Sequence, residues 1–122
     1  MTRVLVIDDD PLVRATLRAI LDSAGFEVVL ASDGLDGVAE FKRRRADLVI
    51  TDIVMPDMEG IETIRNIREL EPTVPILAIS GGGRGVSIDY LRMAERLGAT
   101  ASLQKPFEAD ELIAAVDRCF GR

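Results

Sequence analysis

The chain has 122 residues, 48% of them hydrophobic and 30% charged, and a formal net charge of -6. That length holds one domain with a proper core and little else. The acidic balance argues against a nucleic-acid surface, which would need clustered lysine and arginine, and the absence of histidine removes histidine acid–base catalysis, histidine metal ligands and any phosphohistidine of the chain's own.

The first predicted strand is Val4-Leu5-Val6-Ile7, which runs straight into Asp8-Asp9-Asp10. Pro11 opens a helix at its first turn with Asp10 as the N-cap. Val13, Leu17, Ile20, Leu21 and Ala24 recur at helical spacing, and Gly25 closes the helix. Phe26 to Leu30 reads as the second strand and Asp33 to about Arg44 as the second helix. The basic run Lys42 to Arg45 falls at that helix's end, where cations complement the helix dipole, so it reads as a solvated helix end and not as a binding patch.

The third strand, Leu48-Val49-Ile50-Thr51, ends in Asp52. Met55-Pro56-Asp57-Met58-Glu59-Gly60 reads as a loop, because proline and glycine interrupt a regular pattern. Ile61, Ile64, Ile67 and Leu70 then line one face of a third helix that stops before Pro72. Strand four is Pro75 to Ile79, followed by Ser80 and a glycine-rich loop, Gly81 to Gly85. Ile88, Leu91, Ala94 and Leu97 mark the fourth helix, which ends at Gly98. Thr100 to Gln104 is the last strand, leading to Lys105-Pro106, and Leu112, Ile113, Val116 and Phe120 stripe the last helix. Cys119, the sole cysteine, lies on that stripe and reads as a small core hydrophobe; no disulfide within the chain is available to it.

Strict strand–helix alternation implies an α/β fold, a doubly wound (βα)5 unit with helices on both faces of a five-stranded parallel sheet. In the flavodoxin-like order 2-1-3-4-5, the strand order reverses between strands one and three, and ligands bind at that reversal, outside the carboxyl ends. Those two strands end in Asp8-Asp9 and Asp52. The whole of residues 1–122 is expected to be one such domain. No apolar stretch is long enough to span a bilayer, and a strand beginning at Val4 leaves no room for a signal peptide, so the expected setting is the cytoplasm, with no membrane partner.

Three carboxylates at one crevice repel one another unless a cation sits among them. Oxygen ligands suit magnesium, which keeps several waters and shares its site with phosphoryl groups. Lys105 adds a second positive charge, and Ser80 and the Gly81 amide add donors. Phosphoryl transfer depends mainly on positioning and charge neutralisation, which this set supplies.

Val6-Ile7-Asp8-Asp9, Thr51-Asp52-Ile53-Val54-Met55-Pro56-Asp57-Met58-Glu59-Gly60, Ile79-Ser80-Gly81 and Lys105-Pro106-Phe107 together resemble the receiver domain of two-component response regulators, over essentially the whole chain. The resemblance implies that Asp52 accepts a phosphoryl group from a phosphohistidine on a sensor histidine kinase or a histidine phosphotransfer protein. It implies magnesium ligation by Asp9 and Asp52, with the Val54 backbone carbonyl as a third protein ligand and Asp8 acting largely through water. Ser80 and the Gly81 amide would hydrogen-bond the phosphoryl group, Lys105 would form its ion pair, and the Lys105-Pro106 bond would be cis. Such a protein catalyses its own phosphorylation and slow dephosphorylation without being a conventional turnover enzyme. It signals to a downstream protein target and admits a phosphorylation-dependent dimer through the fourth helix, fifth strand and fifth helix.

Two departures bear on mechanism. The family often carries an aromatic three residues before the lysine, and here Ser102 stands there, so an aromatic switch is unavailable. Two residues beyond Asp52 and Ser80 stand Val54 and Gly82, whose side chains orient no attacking water, which predicts a long-lived phosphoryl group. The glycine-rich loop is either a permissive surface loop or a segment that settles when Ser80 engages the phosphoryl group. Three rival functions are weaker. A phosphorylation-independent binding module of the same fold would not need the full set of acids, hydroxyl and lysine. An aspartyl-phosphate hydrolase would carry an acid at Val54, and a flavin domain would need a phosphate cradle after the first strand.

Overall fold

The computed structural model describes residues 2–55, 59–81 and 84–122. The apolar runs become strands β1 (Arg3–Ile7), β2 (Glu27–Ala31), β3 (Leu48–Asp52), β4 (Ile76–Ser80) and β5 (Ala101–Gln104). Between and after them lie helices α1 (Pro11–Ser23), α2 (Gly34–Arg43), α3 (Glu59–Leu70), α4 (Arg84–Arg96) and α5 (Ala109–Cys119). All pairings are parallel and the order is β2-β1-β3-β4-β5, as expected from the alternation.

Strand alternation sorts the core into two layers, because successive side chains point to opposite faces. Leu5, Ile7, Val49, Ile76 and Ala78 face α2, α3 and α4, meeting Phe41, Ile64, Ile67, Leu91 and Ala94. Val4, Val6, Leu48, Ile50, Leu77 and Ile79 face α1 and α5, meeting Leu17, Leu21, Leu112, Val116 and Cys119. Both faces of the central strands are therefore covered, which is why they read as continuous apolar runs. Burial of a Leu or Ile side chain stabilises by roughly 1.5–3 kcal/mol, so each layer is a substantial part of the folding free energy. Close approach matters as well: a Cβ on Gly37 would fall on the Ile7 side chain, so α2 lies directly on β1.

The helix ends follow the local chemistry. Asp10 caps α1, its side chain accepting from the Leu12 amide at 2.9 Å, and Gly25 leaves the helix at φ +92°. Asp33 caps α2 through the Asp36 amide at 2.7 Å. The basic run is spent at the other end of α2: Arg43 pairs with Glu40, Arg44 lies 3.6 Å from Glu27, and Arg45 sits 4.9 Å over the Phe41 ring. Cys119 is buried in the α1–α5 layer, and burial pushes its thiol up to about 11.

Two loop boundaries differ from the sequence reading. The third helix already begins at Glu59, so Gly60 is helical. The reason is contact: a Cβ on Gly60 would fall on the Asp52 carbonyl oxygen and the Ile53 Cα, so only glycine lets the helix start against the end of β3. The fourth helix begins at Arg84, which makes Arg84 and Gly85 helical and shortens the glycine-rich loop. Gly82 and Gly83 of that loop, and Pro56, Asp57 and Met58 after β3, lie outside the described residues.

Candidate functional site

Four neighbouring strands deliver the site. Asp8 follows β1, Asp52 closes β3, Ser80 closes β4 and Lys105 follows β5. Register aligns them: Ile7 pairs with Thr51, Asp52 with Ile79 and Ser80 with Gln104. The expected residues are thus brought to one edge, with Asp8, Asp52 and Ser80 buried and Asp9 exposed.

Lys105 is the hinge of the charge arrangement. Its Nζ lies 3.1 Å from Asp8 Oδ2 and 3.2 Å from Asp52 Oδ2. The remaining oxygens are held by backbone: Asp8 Oδ1 accepts from the Asp10 amide at 2.9 Å, and Asp52 Oδ1 from the Val54 amide at 2.9 Å. One carboxylate oxygen from each of Asp8, Asp9 and Asp52 falls within a 4.8 Å envelope. Three hard oxygen donors that close suit a small divalent cation retaining part of its water shell.

The titration of the site follows from burial. Desolvation, aided by the neighbouring Asp8 carboxylate, raises Asp52 above the usual carboxylate value, against the opposing pull of Lys105 and the Val54 amide. For Lys105 burial alone disfavours the ammonium, but the Asp52 and Asp8 carboxylates outweigh it and hold the amine above its ordinary value. The lysine is therefore held as a positive charge, and the ionised form of Asp52 is held at a cost.

Neighbouring backbone completes the frame. The Lys105 amide donates to the Ser80 carbonyl at 2.7 Å, joining the ends of β4 and β5. A Cβ on Gly81 would stand 2.8 Å from Lys105 Cδ, so glycine there leaves a path for the lysine stem. The Lys105-Pro106 bond is cis, as expected. Thr51 Oγ1 donates to the Asp52 carbonyl at 3.0 Å, and the Ile53 amide donates to the Ile79 carbonyl at 3.0 Å. Val54 is 42% exposed beside Asp52, and its side chain carries no polar atom.

Two neighbours of the site escaped the sequence reading. Arg14 Nη1 donates to the Asp8 carbonyl at 2.7 Å. A signal for it existed: a cation in the first turns of a helix opposes the helix dipole, which invites a compensating contact. Ser102 Oγ donates to Glu95 Oε2 at 2.6 Å, joining β5 to α4 where the family often has an aromatic. Nothing in the spacing of Ser102 and Glu95 announced that bond.

A crevice at a strand-order reversal, built from acids, a hydroxyl and a lysine, marks an α/β protein suited to phosphoryl-group chemistry. The family model described as the response regulator receiver domain matches residues 4–117, and the chain belongs to that family. It is similar to the chemotaxis protein CheY of Bacillus subtilis, 35% identical over 95% of each chain. It is also similar to the transcriptional regulatory protein CseB of Streptomyces coelicolor, 37% identical over 98% of this chain but only 51% of that protein, so the chain spans about half its length. Among solved structures, a response regulator receiver domain protein of Clostridium thermocellum superimposes with a TM-score of 0.90 at 30% identity, covering 100% of this chain and 96% of the other. Membership makes this a phosphorylation-based signalling domain of two-component systems. Among the described residues no helix is long and apolar enough to cross a membrane.

Proposed function

We propose that Asp52 is the phosphoacceptor and that a partner's phosphohistidine, on a sensor kinase or a phosphotransfer protein, is the donor. A carboxylate oxygen of Asp52 attacks the phosphorus while the donor's P–N bond breaks and its electron pair returns to the imidazole, leaving an acyl phosphate. Asp9, Asp52 and the Val54 carbonyl would hold magnesium, with Asp8 acting through water. Bound there, magnesium supplies charge neutralisation for the phosphoryl oxygens. Lys105 then exchanges its partner, from the Asp52 carboxylate to a phosphoryl oxygen, without leaving the crevice. Ser80 and the Gly81 amide donate to the same group and stabilise the charge that develops.

The observation that carries this reading is the lysine set 3.1 and 3.2 Å from two buried or nearly buried carboxylates. A purely structural ion pair would need one acid, and the second and third acids would only add repulsion. Residues 1–122 act as one receiver unit, in the cytoplasm, and the signal passes to a protein target. The acidic composition supports protein partners over nucleic acid or a membrane surface. A phosphorylation-dependent dimer through α4, β5 and α5 remains part of the same proposal, with the Ser102–Glu95 bond inside that face.

The test is incubation with acetyl phosphate and magnesium followed by intact mass. A single phosphate-sized gain is expected in the wild type and not in Asp52→Asn, nor when magnesium is chelated. Equal gain in the Asn variant would refute the acceptor assignment.

A further inference from the structure

We propose that Arg14 is a positioning residue for the acid cluster, holding the Asp8–Asp10 turn through the Asp8 carbonyl and thereby setting the aim of Asp9. The proposal rests on the phosphoacceptor reading of the same crevice.

The turn is tied at each step. Asp8's amide donates to the Ala31 carbonyl at 3.2 Å, fixing where β1 ends. Asp8 Oδ1 accepts from the Asp10 amide at 2.9 Å, while Asp8 Oδ2 faces Lys105 at 3.1 Å. Asp10 Oδ1 accepts from the Leu12 amide at 2.9 Å, and the Arg14 amide donates to the Asp10 carbonyl at 3.0 Å. The Arg14 guanidinium closes the remaining gap by donating to the Asp8 carbonyl at 2.7 Å. Asp9 sits between these fixed points, its carboxylate exposed, and is directed by the backbone on either side of it.

What Arg14 avoids is as informative as what it binds. Among the described residues its guanidinium pairs with no carboxylate, although three lie at the same strand ends. A cation that entered the acid cluster would compete with a metal ion for the same oxygens. Anchored on a carbonyl, Arg14 holds the backbone rigid and leaves the carboxylate oxygens to other cations. Outer contacts of this type, which orient ligands without ligating, are worth tenfold or more in metal affinity.

Charge and positioning predict opposite signs, which makes the test sharp. If Arg14 acted only through its charge, Arg14→Met would tighten magnesium binding, because a repelling cation near the acids is gone. Positioning predicts that Arg14→Met weakens it by about tenfold, and that Arg14→Lys, which keeps a donor on a shorter head, recovers part of the loss. The measurement is magnesium titration of the wild type and both variants by calorimetry at fixed ionic strength. It is paired with thermal melting in chelator, and with phosphorylation by acetyl phosphate at low and saturating magnesium. The expected pattern is a weaker dissociation constant, melting within a few degrees of wild type, and a phosphorylation rate that recovers at saturating magnesium. Tighter or unchanged binding overturns the proposal, as does a loss that tracks melting and is not recovered by lysine. If the wild type binds no magnesium, the cluster reading itself falls, and the proposal falls with it.

Discussion

The two edges of the sheet use charge in opposite ways. At the amino edge Arg3 and Arg68 are each consumed by neighbouring groups. Arg3 donates from Nε to Glu27 at 2.9 Å and from Nη1 to the Arg45 carbonyl at 3.0 Å, while its backbone amide donates to Asp47 at 2.8 Å. Arg68 reaches the carbonyls of Glu71, Pro72 and Val74 at 3.1, 3.0 and 2.7 Å, and that of Gly98 at 2.6 Å, tying the ends of α3 and α4 beneath the sheet. At the carboxyl edge three carboxylates cluster and Lys105 pairs with two of them. The amino edge is self-satisfied and serves stability. The carboxyl edge is left with excess negative charge, and that surplus is what a divalent cation and a phosphoryl group would complete.

Substitutions at the two edges should therefore move different observables. The largest effect expected is at the proposed acceptor: Asp52→Asn abolishes phosphorylation by a small donor. In chelator the same substitution should raise the melting temperature. Because burial raises the Asp52 pKa in the folded state, its ionised form costs stability; that cost is absent at low pH and sets in as pH rises through the folded value. The gain should thus be visible at neutral pH and fade in acid, and a melting temperature lowered at neutral pH would contradict it.

Next in size is Arg68→Ala. Removing a partly buried guanidinium orphans carbonyls at two helix ends and should cost about 2–4 kcal/mol in denaturant unfolding. Phosphorylation by acetyl phosphate should be unchanged under native conditions. A phosphorylation defect without a stability loss would blur the contrast between the edges.

Gly60→Ala should breach it deliberately. Its Cβ would press on the backbone of Asp52 and Ile53, costing about 1–3 kcal/mol as overpacking does and slowing phosphorylation together with stability. Wild-type behaviour on both counts would mean that α3 shifts without disturbing Asp52.

Two smaller effects sharpen the picture. The apolar Val54 side chain beside the proposed acceptor supports a phosphoryl lifetime of minutes or longer in the absence of a phosphatase, readable by intact mass after donor removal. Loss within seconds would point to a water-activating group elsewhere. Cys119, buried with its thiol pushed up to about 11, should resist iodoacetamide in the native protein and react on unfolding.

Much of the carboxyl edge was legible in the sequence because strands announce themselves by composition and end where polarity begins. Asp8, Asp9, Asp52, Ser80 and Lys105 each follow or close an apolar run, so topology alone brings them together. The amino edge was less legible. Arg68 sits on a helix among other charged residues, and nothing in its spacing says that its head will meet four carbonyls from two loops. The same holds for Arg14 and for Ser102 with Glu95: long-range contacts of polar side chains depend on the three-dimensional placement of backbone groups, not on periodicity. Helix starts at Glu59 and Arg84 were hidden for a related reason. Glycine reads as a loop residue, yet at Gly60 its missing Cβ is what permits a helix to begin against β3.

On the proposed reading, the surplus charge at the carboxyl edge serves to place a phosphoryl group on Asp52. The most direct measurement is borohydride trapping after treatment with acetyl phosphate and magnesium, with the reduced residue located by peptide mass. Reduction of an acyl phosphate to the alcohol at position 52 alone is the result predicted. Label at Asp8 or Asp9, or no acyl phosphate at all, would contradict the account.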